Sequence, residues 1–120
     1  MTRQLTAAGN KVIATTRNRA DAAALNQTSA RVIDLDVSDP SSIAGLAERV
    51  GPDAIDVVIN NAGVSSETKS LANCSAAELQ RVFMVNATAP VLVAAAVLEN
   101  VKKGGRKPVS YTHLTLPTNR

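Results

Sequence analysis

The chain is 120 residues long, 45% hydrophobic and 2% aromatic, with a formal net charge of +3. That length supports one modest domain with one core, and the scarcity of aromatics leaves the core to Val, Ile, Leu and Ala, a composition suited to parallel strands covered on both faces. Mild, scattered basic charge with almost nothing to stack on bases argues against nucleic-acid binding.

Thr2 to Ala8 reads as the tail of a helix, closed by Gly9 where a left-handed residue is favoured. Lys11 to Thr16 is a β-branched strand, Asp21 to Leu25 a short Ala-rich helix, and Arg31 to Asp36 a second strand. Ser38-Asp39-Pro40 opens the next helix with a capping side chain followed by proline in the first turn. Ile43, Leu46, Ala47 and Val50 share one face of it, and Gly51-Pro52 ends it. Ile55 to Ile59 is a third, buried strand that stops abruptly in Asn60-Asn61-Ala62-Gly63. In an open α/β sheet such an end places polar groups at the carboxyl edge, where ligands bind.

A polar loop from Val64 to Asn73 follows. Ser75 and Glu78 have the spacing of a capping box. A long helix is expected to run from there through Leu79, Val82, Phe83 and the apolar series Val91 to Leu98, ending near Gly104-Gly105. Lys102-Lys103 and Arg106-Lys107 then read as a solvated helix end, where cations suit the dipole. Strands alternating with helices imply a parallel sheet. Lys107-Pro108-Val109 looks like the start of a fourth strand. Residues 110–120 break the earlier pattern and resemble a translated adapter end, a processing scar to be set apart from the fold; a natural irregular tail is the alternative. The domain is accordingly placed at residues 1–109.

Cys74 is the only cysteine, so no internal disulfide forms and no cysteine-rich metal site is available. No metal is expected. Cys74 and His113 read as passive. With no signal-peptide pattern at Met1 and no apolar run reading as long enough for a membrane span, a cytoplasmic protein is expected, without membrane or nucleic-acid partners.

Taken together, Thr15-Thr16-Arg17-Asn18-Arg19, Asp36-Val37 and Asn60-Asn61-Ala62-Gly63, each at a strand end, resemble the short-chain dehydrogenase/reductase family over about residues 1 to 109. Its small carbonyl-reductase-like and C-factor-like members are the nearest in pattern. The resemblance implies a doubly wound Rossmann sheet that binds NAD or NADP. It implies that Arg17 meets the ribose 2′-phosphate of NADP, where an acid would select NAD, so NADP is favoured. It implies that Asp36 accepts from the adenine amino group while Val37 flanks the ring. The amides of Asn60 and Asn61 would brace the sheet edge, and small Ala62 and Gly63 would let the cofactor approach closely.

The resemblance also gives Asn86 a catalytic place. Pro90, four residues on, has no N–H to pair with the Asn86 carbonyl. In the family the asparagine of a matching Val-Asn segment holds a relay water on that carbonyl. The family's glycine-rich turn and first strand are expected before Thr2, and its serine and Tyr-x-x-x-Lys beyond this chain; Ser110 and Tyr111 do not have the required spacing. The expected protein is therefore a fragment of an NADP(H)-dependent oxidoreductase acting on a small carbonyl or alcohol. Its parent would be an oligomer of identical subunits, and the fragment alone would fold poorly and be inactive. A non-catalytic dinucleotide-binding sensor or signalling protein on the same fold is the alternative, and a stray truncated reading frame is a third.

Overall fold

The computed structural model describes residues 1–18, 20, 22–67, 70–105 and the backbone of 109–112. Helix α1 (Thr2–Ala7) is followed by Gly9 at φ 82°. Strands β1 (Ile13–Thr16) and β2 (Arg31–Asp34) pair in parallel, with Ile13 opposite Arg31 and Thr16 opposite Asp34. Helix α2 (Ala23–Asn26) connects them; the helix start expected at Asp21 lies outside the described residues. Strands β3 (Val57–Asn60) and β4 (Val109–Thr112) form a second parallel pair, with Asn60 opposite Thr112. Among the described residues no ladder joins the two pairs. Residues 106–108 and 113–120, including Lys107, Pro108 and His113, lie outside the described residues, as do the side chains of Ser110 and Tyr111.

The strands are shorter than the apolar runs suggested, because flanking N–H groups find other acceptors. The Asp36 N–H donates to Ser42 Oγ at 3.0 Å, and the Ile55 N–H donates to the Asn100 carbonyl at 3.0 Å. Nor is β3 the buried strand its composition suggested. Val58 and Ile55 pack against the core, while Val57 and Ile59 remain 46% and 37% exposed. Alternation sends them to the opposite face.

Helix α3 (Pro40–Ala44) starts as expected: Asp39 Oδ1 accepts from the Ser41 N–H at 2.8 Å, and Pro40 occupies the first turn. Gly45 breaks the expected single helix, and α4 (Leu46–Val50) continues beyond it to Gly51, whose φ of 75° ends the run. The break turns the second segment, so Ile43, Leu46 and Val50 are buried while Ala47 is exposed, contrary to the four-residue face read from the sequence.

A 3-10 turn (Leu71–Asn73) precedes α5 (Ala76–Phe83), which is capped by Ser75 Oγ accepting from the Glu78 N–H at 3.2 Å. The expected long helix is not uniform. It widens into a π turn at Met84–Thr88, resumes as α6 (Ala89–Ala96), and breaks at Val97 before α7 (Leu98–Lys102). Val85, Ala89, Val93, Val97 and Val101 are all buried, a stripe at four-residue spacing. The last four of them, with Ile33, Leu35, Ile43, Leu46 and Val50, make the core cluster, against which Ile13, Val37, Ile55 and Val58 pack. The π turn also joins two apolar segments into the helical run Ala76–Ala96. The run has 21 residues, and an 18-residue window within it has a mean hydropathy of 1.4, long and apolar enough to cross a membrane by length and composition. That corrects the reading that no apolar run reaches such a length: the polar residues of the first turns count against the run, and the apolar series after Asn86 outweighs them.

The opposite edge of the molecule is tied by polar groups. Asn100 is buried; its Nδ2 donates to the Gly51 carbonyl at 2.7 Å and the Asp53 carbonyl at 2.8 Å. Asp53 also faces Lys11 at 3.3 Å and Arg31 at 3.8 Å. Gly104 closes against the same turn, where an added Cβ would run into the Ile55 carbonyl oxygen. Replacing Asn100 with Ala strands two carbonyls, and the expected cost is about 2–4 kcal/mol. A denaturant titration of Asn100→Ala against the parent chain measures it; a loss within error of zero would show that solvent takes over both bonds.

Candidate functional site

Because β1 and β2 run in parallel and in register, their carboxyl ends open on one edge. The chain turns sharply after β1: Thr16 Oγ1 donates to the Asn18 carbonyl at 3.1 Å, and Asn18 Oδ1 accepts from the Ala20 N–H at 2.9 Å. This turn leaves the Arg17 side chain exposed. Thr16, Arg17, Asn18 and Asp36 line one open cavity of about 430 Å³. Two sequence-predicted residues, Arg17 and Asp36, are therefore brought together.

Asp36 is held in a fixed pose. Its Oδ1 accepts from the Ser38 hydroxyl at 2.6 Å and from the Ser38 N–H at 2.8 Å. The Ser38 hydroxyl, then its N–H, and further the positive charge of Arg17 keep the carboxyl below the ordinary carboxylate range. Val37 is half-buried and packs against the core cluster.

The second predicted group lies on the other strand pair. Asn60 is the half-buried last residue of β3, and Asn61, Ala62 and Gly63 follow it, exposed and without regular structure. They do not line the cavity of Arg17 and Asp36. They lead instead to Val64, which Asn86 clamps: Oδ1 accepts from the Val64 N–H at 2.9 Å and Nδ2 donates to the Val64 carbonyl at 2.7 Å. Asn86 sits inside the π turn, and Pro90 lies in the first turn of α6. A helix missing the N–H of residue 90 has a local reason to widen there, and such turns recur at functional sites.

Sequence reasoning missed the side-chain half of this arrangement. The capping-box spacing suggested that Glu78 reaches back to Ser75. Its carboxylate instead accepts from the Glu67 N–H at 2.9 Å and from Arg81, Nε to Oε2 at 3.0 Å and Nη2 to Oε1 at 2.9 Å. Arg81 Nη2 also donates to the Ser65 carbonyl at 3.1 Å. The one available signal was a basic residue three positions beyond the box glutamate, on the same helix face.

Arg81, then the Glu67 N–H, hold the Glu78 carboxyl at about 2 against an ordinary 4.5. Since the folded value lies below the unfolded one, the stabilisation is complete above pH 4.5 and is lost as pH falls toward 2. An NMR titration of the Glu78 carboxyl carbon is expected to show its midpoint near 2. A midpoint at the ordinary value would mean that the contacts do not persist in solution.

A sequence model of a family described as enoyl-(acyl carrier protein) reductase matches residues 1–113. Among curated proteins, the chain is 37% identical over 57 residues to C-signal of Myxococcus xanthus, covering 48% of this chain and 34% of that one. It is 31% identical over 96 residues to the short chain dehydrogenase tazN of Aspergillus terreus, covering 72% of this chain and 21% of that one. Among solved structures, a metagenomic short-chain oxidoreductase in complex with NADP superposes with a TM-score of 0.75 and 27% identity, over 91% of this chain and 53% of that one. The chain thus spans about a third or less of these curated relatives and about half of the solved one.

Proposed function

The chain belongs to the short-chain dehydrogenase/reductase family, and on that premise we propose that it forms the adenosine side of an NADP(H) site in an oxidoreductase acting on a small carbonyl or alcohol. The observation that carries this reading is the juxtaposition of Arg17 and Asp36 in one open, polar cavity at the carboxyl ends of parallel strands. The donor set fits the ligand. A guanidinium fork matches the oxygens of a 2′-phosphate, and no carboxylate stands at the first position past β1 to favour unphosphorylated ribose. The NADP bound to the metagenomic relative supports the same choice.

In this reading Arg17 donates to the phosphate at the ribose 2′ position. Asp36, with Oδ1 occupied by Ser38, accepts from the adenine amino group through Oδ2. Val37 flanks the ring from its half-buried place. The amides of Asn60 and Asn61 brace the sheet edge, and Ala62 and Gly63 let ribose lie close to the backbone. When bound, the nicotinamide end supplies or accepts hydride. Asn86 serves the proton side: its side chain is committed to Val64, while its carbonyl, opposite a proline nitrogen, holds a water in a relay. Catalysis needs an acid/base tyrosine and lysine, so the chain alone is expected to be inactive; the core cluster that closes on both strand pairs supports a fold that can still bind cofactor, in place of the poor folding expected from the sequence.

The reading extends to assembly. Leu79, Phe83, Val91 and Leu98 lie exposed along α5–α7, opposite the buried stripe, a surface suited to a second subunit in the whole protein. With the stripe from Val85 to Val101 committed to the core, the Ala76–Ala96 run serves as a core helix of a cytoplasmic protein. One observation favours a second reading, a non-catalytic dinucleotide-binding signalling protein on this fold: the similarity to C-signal. Turnover of a carbonyl substrate by the whole protein separates the two.

Arg17→Glu is the direct test of the cofactor choice. Fluorescence titration of the full chain is expected to show NADPH bound about tenfold or more tightly than NADH, and the substitution is expected to abolish or reverse that preference. Equal affinities in the parent chain would remove Arg17 from the site.

A further inference from the structure

Val64, Ser65 and Glu67 are each tied to a side chain of the helix behind them. Asn86 holds both backbone groups of Val64. Arg81 takes the Ser65 carbonyl. Glu78 takes the Glu67 N–H. The two charged residues orient one another through a two-point contact, Nε to Oε2 and Nη2 to Oε1, at 3.0 and 2.9 Å. An ordinary surface pair at i,i+3 spacing would contribute little and would spend its remaining hydrogen-bonding capacity on water. This pair spends it on two loop residues, Ser65 and Glu67, and the Glu78 side chain is only 18% exposed.

We propose that Glu78 and Arg81 are positioning residues: they latch residues 65–67 to α5 and so, with Asn86, set the path by which Asn61–Gly63 leaves β3 toward the cofactor. This rests on the dinucleotide-site reading above. Asn61 to Gly63 are exposed and lack regular structure. Their placement is governed at one end by the β3–β4 ladder, which ends at Asn60, and at the other by whatever fixes residues 64–67. A segment that must lie against ribose needs both ends held, since displacement by about an ångström is enough to weaken a preorganised site.

The test uses the full chain, with hydrogen exchange at single amides and NADPH affinity measured on the same samples. In Glu78→Ala the Glu67 amide is expected to exchange about tenfold or more faster, with the Val64 amide, held by Asn86, and the Val82 amide inside α5 unchanged. NADPH affinity is expected to fall about tenfold. In Glu78→Gln, whose side-chain carbonyl can still accept from Glu67, Glu67 protection and NADPH affinity are expected to stay close to the parent values. The exchange of Val82 separates loss of the latch from loss of the fold; if Glu78→Ala unfolds, Arg81→Lys, which keeps the charge but loses the fork that orients Glu78, carries the same expectations at Glu67 and in NADPH affinity.

Faster Glu67 exchange with unchanged NADPH affinity would overturn the positioning role. Unchanged Glu67 exchange would overturn the latch itself. A parent chain that binds no NADPH would overturn the dinucleotide-site reading and the positioning role with it, while Glu67 exchange still decides whether the latch exists.

Discussion

The structure depends on one apolar stripe. β1–β2 and β3–β4 share no ladder among the described residues, so backbone hydrogen bonding does not unite them. What unites them is the row Ala89, Val93, Val97 and Val101, packed with Ile33, Leu35, Ile43, Leu46 and Val50, with Ile13 from one strand pair and Ile55 and Val58 from beside or within the other closing onto it. Burial of that kind is non-directional and needs only a continuous helix face. The row keeps its four-residue spacing across the break at Val97, and the widened turn at Met84–Thr88 just before it holds Asn86 against Val64. Core packing and site geometry run through the same helix.

That sharing explains the division of labour between the two strand ends. The Arg17 and Asp36 edge is built locally: Thr16, Asn18 and Ser38 hold the turns on which the charged groups stand. Among the described residues, the edge that follows Asn60 is held from farther off. Its order is imported from the helix, through Asn86 at Val64 and through Glu78 and Arg81 at the residues beyond. One edge is made of short-range hydrogen bonds and the other of contacts that span the loop.

Much of this was legible from residue order. Gly9 and Gly51 mark positive-φ ends, Asp39-Pro40 marks a helix start, and strands alternating with helices give the parallel pairs, because each of these is a local rule acting on neighbouring residues. Residue order placed Arg17 and Asp36 at strand ends, while the roles expected of them came from the family resemblance. The contacts that were missed are mostly long-range, the Glu78–Arg81 pair being the local exception. Nothing local says that Asn100 will reach Gly51 and Asp53, or that Glu78 will prefer Glu67 to its own cap. The solvent-facing half of β3 was also hidden, since Val57 and Ile59 are as β-branched as the residues that pack inward. Pro90 hinted at the disturbed helix, but not that a π turn rather than a kink would absorb it.

The central claim is that two strand ends, on ladders that do not join among the described residues and packed together on the helix stripe, belong to one dinucleotide site. The most direct measurement is an NMR titration of the chain with NADPH, following the amides of residues 16–18, 36–38 and 61–64 together. The account predicts that all three groups shift along a single isotherm with one dissociation constant. Shifts confined to one strand end, or two groups following different isotherms, would contradict it.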